Sequence, residues 1–126
     1  MELNLKDKKS AEYAVSEFFK NWIKKDFKTI NKYIQITFLK GNDKVFNNFE
    51  KILGNVELKD FYLYDKEIIT DCREEINFRA EVLFNGKLVN MYGKANTICE
   101  KAPYEPSPNG KWGVNPISIL RWVKQK

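Results

Sequence analysis

Hydrophobic positions along this chain change their period once. Up to about Gly54 they recur at three- and four-residue spacing, and from Val56 onward they alternate. Between about Lys8 and Lys25 the positions Ala11, Ala14, Val15, Phe18, Phe19, Trp22 and Ile23 form one broad apolar stripe. A long first helix is predicted there, with Asp7 or Ser10 as its N-cap. Lys24-Lys25 suits its end, where cations oppose the negative pole of the helix. Asp26 then opens a shorter second helix with Phe27, Ile30, Tyr33 and Ile34 apolar. Asn42 or Asp43 caps a third, which buries Val45, Phe46, Phe49, Ile52 and Leu53 and ends at Gly54 in a left-handed C′ position.

The second half reads as strands. Val56 to Asp65 is strand-like and aromatic, and Glu67 to Thr70 extends or restarts it across a bulge. Glu75 to Phe84 sends Ile76, Phe78, Ala80, Val82 and Phe84 to one face and Asn77, Arg79 and Glu81 to the other, as a half-buried antiparallel strand requires. Asn85-Gly86 is a strong hairpin signal because both turn positions need positive φ. On the return strand, Lys87 to Lys101, the inner set is Val89, Met91, Gly93, Ala95, Thr97 and Cys99, with a close approach or a bend expected at Gly93 and Ala95. Ala102 to Gly110, rich in proline, reads as a loop. Pairing restarts at Trp112-Gly113-Val114. Asn115-Pro116 interrupts it as a bulge before a last strand, Ile117 to Val123. Helices followed by an antiparallel meander give an α+β fold, in which one face of a curved sheet is buried against the helices.

Composition narrows the function classes. At 126 residues the chain makes one domain, residues 1–126, and 43% hydrophobic content excludes disorder. No apolar run reaches the ~20 residues of a membrane span, and the first six residues carry no apolar leader, so a cytoplasmic location is expected. The chain has no histidine, which excludes Ser-His and Cys-His nucleophile pairs. Cys72 and Cys99 match no zinc or redox spacing and read as reduced thiols; a bridge would need adjacent strands. Neither metal-ligand spacing nor a phosphate loop is present, so no metal and no cofactor is expected. The net charge of +5 gathers in lysines of the early helices (Lys6, Lys8, Lys9, Lys20, Lys24, Lys25, Lys28, Lys32), opposite an acidic stretch from Asp60 to Glu75. Lysine in place of the bidentate arginine favours a solvated face over nucleic-acid binding.

The candidate chemistry is sparse. Asp60 with Tyr62 or Tyr64 is the best acid–base set, since a carboxylate in a low-dielectric pocket can take a proton and a tyrosine hydroxyl can hold an oxyanion. Alternation puts the three on one face if no bulge intervenes. Asn90, Tyr92, Lys94 and Asn96, with Asn77 and Arg79 across the hairpin, form a polar outer sheet face bearing an aromatic. Trp22, Trp112, Phe18 and Phe19 read as core. Arg121 and Trp122, beyond the expected bulge, are a candidate interaction pair.

Three segments carry a family likeness: Phe18-Phe19-Lys20-Asn21-Trp22 followed by Asp26, Asn85-Gly86 between two long strands, and Gly110-Lys111-Trp112-Gly113-Val114. Over nearly its whole length the chain resembles the nuclear transport factor 2-like superfamily. The resemblance implies a cone-shaped, cystatin-like fold, with three N-terminal helices packed in a strongly curved antiparallel β-sheet. Any pocket is expected where Tyr33, Phe38, Phe46 and Phe49 meet the open end of the cone, either filled by their own packing or holding a small apolar ligand. The resemblance also implies a homodimer through the outer sheet face. Members of the superfamily similar to steroid isomerases and polyketide cyclases place Asp, Tyr or His in that open end, and this chain has no His to offer. Fold does not decide function. The expected role is non-catalytic binding or assembly, with a second copy, a protein partner or a small apolar ligand. The alternative is a small cofactor-free lyase or isomerase using Asp60 and a tyrosine.

Overall fold

The computed structural model describes residues 3–41 and 56–119. Helix α1 spans Ala11–Ile23. Of the two cap candidates Ser10 takes the role: its backbone is extended and its hydroxyl accepts the Tyr13 N–H at 3.1 Å. Asp7 instead accepts the Lys9 N–H in the preceding turn. The helix ends with Lys25 in the left-handed region (φ 59°). There the Lys25 N–H donates to Trp22 O and the Asp26 N–H to Asn21 O, the paired bonds of a Schellman motif. Asp26 then caps α2, Phe27–Ile30, through the Thr29 N–H at 3.1 Å. Hydrogen bonds from the Thr29 hydroxyl first, and then from its N–H, hold the Asp26 carboxyl below the usual range.

The second helix is shorter than its apolar spacing predicts. Residues Asn31–Tyr33 form a 3-10 turn, and Ile34 is extended (φ −97°, ψ 145°). The cause is tertiary: Ile34 bridges Val114 in parallel, and the Gln35 N–H donates to Val114 O at 3.0 Å. Ile36–Gly41 then form α3, a helix absent from the sequence reading. Its first turn is capped by Glu100, whose carboxylate accepts both the Thr37 N–H, at 3.1 Å, and the Thr37 hydroxyl. The helix expected from Asn42 to Gly54 lies outside the described residues.

Five strands make one antiparallel sheet: β1 Glu57–Thr70, β2 Arg73–Phe84, β3 Lys87–Ala102, β4 Glu105–Pro106 and β5 Lys111–Val114. Strands β1 to β4 lie in chain order, and β5 also pairs with β3. Strand β1 is continuous, with register shifts between Leu58 and Asp60, Leu63 and Asp65, and Ile68 and Thr70. The β2–β3 turn has Asn85 at φ 52° and Gly86 at φ 80°, as Asn-Gly requires. Two expectations are corrected. The loop from Ala102 to Gly110 contains the short strand β4, which returns on β3 through a turn with Tyr104 at φ 62°. Asn115-Pro116 is no bulge: residues 116–119 are a helical turn. Asn115 Oδ1 accepts the Ile117 N–H at 3.0 Å, so Asn115 serves as N-cap and Pro116 fills the first position, where its missing N–H costs nothing. Residues 120–126, including Arg121 and Trp122, lie outside the described residues.

The core joins the α1 stripe to the inner face of the sheet. Val15, Phe18, Phe19 and Trp22 are buried together with Ile76, Phe78, Ala80, Val82, Met91 and Ala95. Phe19 sits at the centre, its ring 5.0 Å from Phe78 and 5.2 Å from Phe61. The Trp22 indole N–H donates to Val56 O at 3.0 Å, which satisfies the one polar atom that burying this ring brings along.

Candidate functional site

Alternation along β1, β2 and β3 places polar and aromatic side chains on the sheet surface facing away from α1. Tyr62 pairs with Arg79 and Arg79 with Tyr92, so the three make one row across three strands. Tyr62 and Tyr92 are each more than half exposed. The Arg79 guanidinium lies 5.9 Å from the Tyr62 ring centre, and Tyr64 stacks on Tyr62 at 6.4 Å. Flanking rows pair Glu81 with Asn90, Asn77 with Lys94, and Glu75 with Asn96. All six face residues expected from the sequence (Asn77, Arg79, Asn90, Tyr92, Lys94, Asn96) therefore share one patch. Tyr64, Asn77, Tyr92, Lys94, Asn96 and Ser118 line a cleft of about 300 Å³ in it. The Ser118 hydroxyl accepts the Asn96 N–H at 3.1 Å, while Asn96 Oδ1 is buried without a hydrogen-bond partner.

Asp60, Tyr62 and Tyr64 are all exposed on this face, despite the register shift between Leu63 and Asp65. Asp60 accepts its neighbour Phe61's N–H at 2.8 Å. The niche that it shares with Arg79, Glu81 and Asn90 holds about 20 Å³, room for little more than a water. The low-dielectric surround that acid–base chemistry needs is not at this position.

A second concavity, of about 320 Å³, opens on the other side of the sheet, where the start of α1 meets the turn leading into β5. Of the four residues expected around a cavity, Tyr33 lines this one. Phe38 packs against the core instead, and Phe46 and Phe49 lie outside the described residues. The walls that the sequence reading missed are Tyr13 and Trp112. Tyr13 and Tyr33 meet edge to face at 6.3 Å and 70°. The Tyr13 hydroxyl donates to Glu17 Oε1 at 3.3 Å; burial first, and then the Glu17 carboxylate and Tyr33, raise its pKa. Trp112, expected in the core, is only half-buried. Lys8, Lys9 and Lys111 stand exposed around the mouth.

Two further groups complete the chemistry. The Lys66 ammonium lies 3.1 Å from Glu12 Oε2 and 3.2 Å from Glu74 Oε1, with Glu12 only 1% exposed. The second contact is an ion pair without hydrogen-bond geometry. Burial by itself lowers the Lys66 pKa, but the hydrogen bonds to Glu12 and the charges of Glu12 and Glu74 together outweigh it and raise the value above that of an ordinary lysine. Cys72 and Cys99 are free thiols on neighbouring backbone, with the Cys99 N–H donating to Cys72 O at 2.8 Å. Adjacency, the condition for a bridge, is thus met. Burial raises both thiol pKa values, with Asp71 adding to it at Cys72.

Among the described residues no group of three or more His, Cys, Asp or Glu side chains is placed to hold a metal ion, and no helix is long and apolar enough to cross a membrane. Compared with protein-family models, with curated proteins and with solved structures, the chain matches none.

Proposed function

We propose that this chain is a cytoplasmic, non-catalytic binding or assembly module that pairs with a second copy of itself through the outer sheet face. The observation that carries the reading is the Tyr62–Arg79–Tyr92 row, exposed across three strands and extended by Tyr64. Tyrosine and arginine supply much of the binding energy at interfaces, because each combines a large flat contact with a polar tip. The charges around the row suit self-association. Glu75, Glu81 and Asp60 share the face with Arg79 and Lys94, so a two-fold axis can bring the acids of one copy over the bases of the other.

The cone-shaped, cystatin-like arrangement of the nuclear transport factor 2-like superfamily is the fold reading that goes with this proposal. Its supports are the long α1 against the inner residues of β1, β2 and β3, and the three register shifts that turn β1. The exposed setting of Asp60 gives the cofactor-free lyase or isomerase reading no comparable support.

Light scattering at several concentrations tests the proposal. The expected result is a mass that rises toward twice the chain mass, and a shift back to the monomer for Arg79→Glu or Tyr92→Glu with an unchanged circular dichroism spectrum. A monomer at every concentration overturns it.

A further inference from the structure

Lysines on this protein are often already paired where carboxylates lie in reach: Lys20 with Glu17, Lys59 with Glu57, Lys66 with Glu12. Lys8, Lys9 and Lys111 differ. All three line one pocket, and among the described residues no acidic side chain lines it and none of the three has an ion-pair partner. Three like charges at one rim repel one another unless an anion sits between them. Beneath them the walls are aromatic. Tyr13 and Tyr33 stand nearly perpendicular, and Trp112 faces the same space. Such walls take a planar ring in stacked or edge contacts.

We propose that this pocket binds a small molecule that joins a planar ring to a phosphate or carboxylate group. The ring enters between Tyr13, Tyr33 and Trp112, and the acid group is held by Lys8, Lys9 and Lys111. The positive end of α1 lies at the same mouth and adds to the attraction. The volume, about 320 Å³, is at the small end of ligand cavities, enough for one or two fused rings and an acid group but not for a folded partner. The β5 side of the mouth is rigidly placed. A Cβ on Gly110 would fall 2.2 Å from the Glu100 carbonyl carbon, so the backbone here lies pressed against β3 and sets Lys111 and Trp112 in position before a ligand arrives. The ligand chemistry therefore differs from the small apolar molecule expected near Tyr33, Phe38, Phe46 and Phe49. The pocket is also separate from the outer sheet face.

Titrations followed by amide NMR and tryptophan fluorescence test the inference with adenosine monophosphate, naphthoate and uncharged adenosine as probes. At least one of the two anions should move the Gly110, Lys111 and Trp112 amide signals, and the comparison between them separates a phosphate from a carboxylate preference. Adenosine should bind at least about tenfold more weakly than its monophosphate, and the combined Lys8→Gln, Lys9→Gln, Lys111→Gln variant should lose about tenfold or more in affinity for the bound anion. These lysines are exposed, so circular dichroism and light scattering should show an unchanged fold and oligomeric state. The inference is overturned if neither anion perturbs the pocket, if adenosine binds as tightly as a monophosphate that does bind, or if the lysine variant keeps full affinity for the bound anion.

Discussion

Lys66 holds two carboxylates at once, and the consequences can be worked out at the scale of one side chain. Replacing it with methionine leaves Glu12, which is almost fully buried, with the Asn4 N–H as its remaining hydrogen bond among the described residues. The expected loss is about 3 kcal/mol in urea unfolding at neutral pH, because an unpaired buried charge costs more than the pair gained. The folded-state pKa of Lys66 is raised, so its contribution is fully present below the ordinary value of 10.5 and disappears as pH climbs through the higher folded value. Wild type should lose stability in that window, and Lys66→Met should lack this component. Ser10 offers a simpler case. Ser10→Ala removes the acceptor of the Tyr13 N–H and should cost about 1 kcal/mol, whereas Ser10→Asn should nearly restore it.

Between elements, one close crossing is where the extended Ile34–Gln35 backbone runs along β5. A Cβ on Gly113 would lie 2.5 Å from both the Gln35 N and Cα atoms. Gly113→Ala must push two backbones apart and should destabilise by about 2 kcal/mol, with faster hydrogen exchange at the Gln35 amide that bonds Val114 O. The same crossing explains what the sequence pattern could and could not tell. The α1 stripe, the β2 and β3 alternation and the Asn85-Gly86 turn were legible because each signal is contained within a few residues. The early end of the second helix and the whole of α3 were not. The first depends on Val114, and the second on a cap from Glu100, 63 residues away. Asn115-Pro116 was legible but misread: a cap residue before proline signals a helix start as well as a strand interruption.

For the whole molecule, two surfaces on opposite sides of one sheet have different origins. The outer face was legible residue by residue, since alternation sends Asn77, Arg79, Tyr92 and Lys94 outward wherever β2 and β3 pair. If it is the self-association surface, substitutions there should change the oligomeric state and leave anion binding unaltered. Lysine substitutions at the pocket should do the reverse. The pocket was largely hidden: only Tyr33 was anticipated, because its other walls come from residues 8–14 and 109–112. Periodicity by itself determined the α+β class, the identity of the core stripe and the two faces of the sheet, since burial acts on each element through its own repeat. Tertiary structure decided which charges are paired, where α2 ends, and which lysines and rings meet at one mouth. Those outcomes depend on contacts between distant segments, and no local pattern along the chain encodes them.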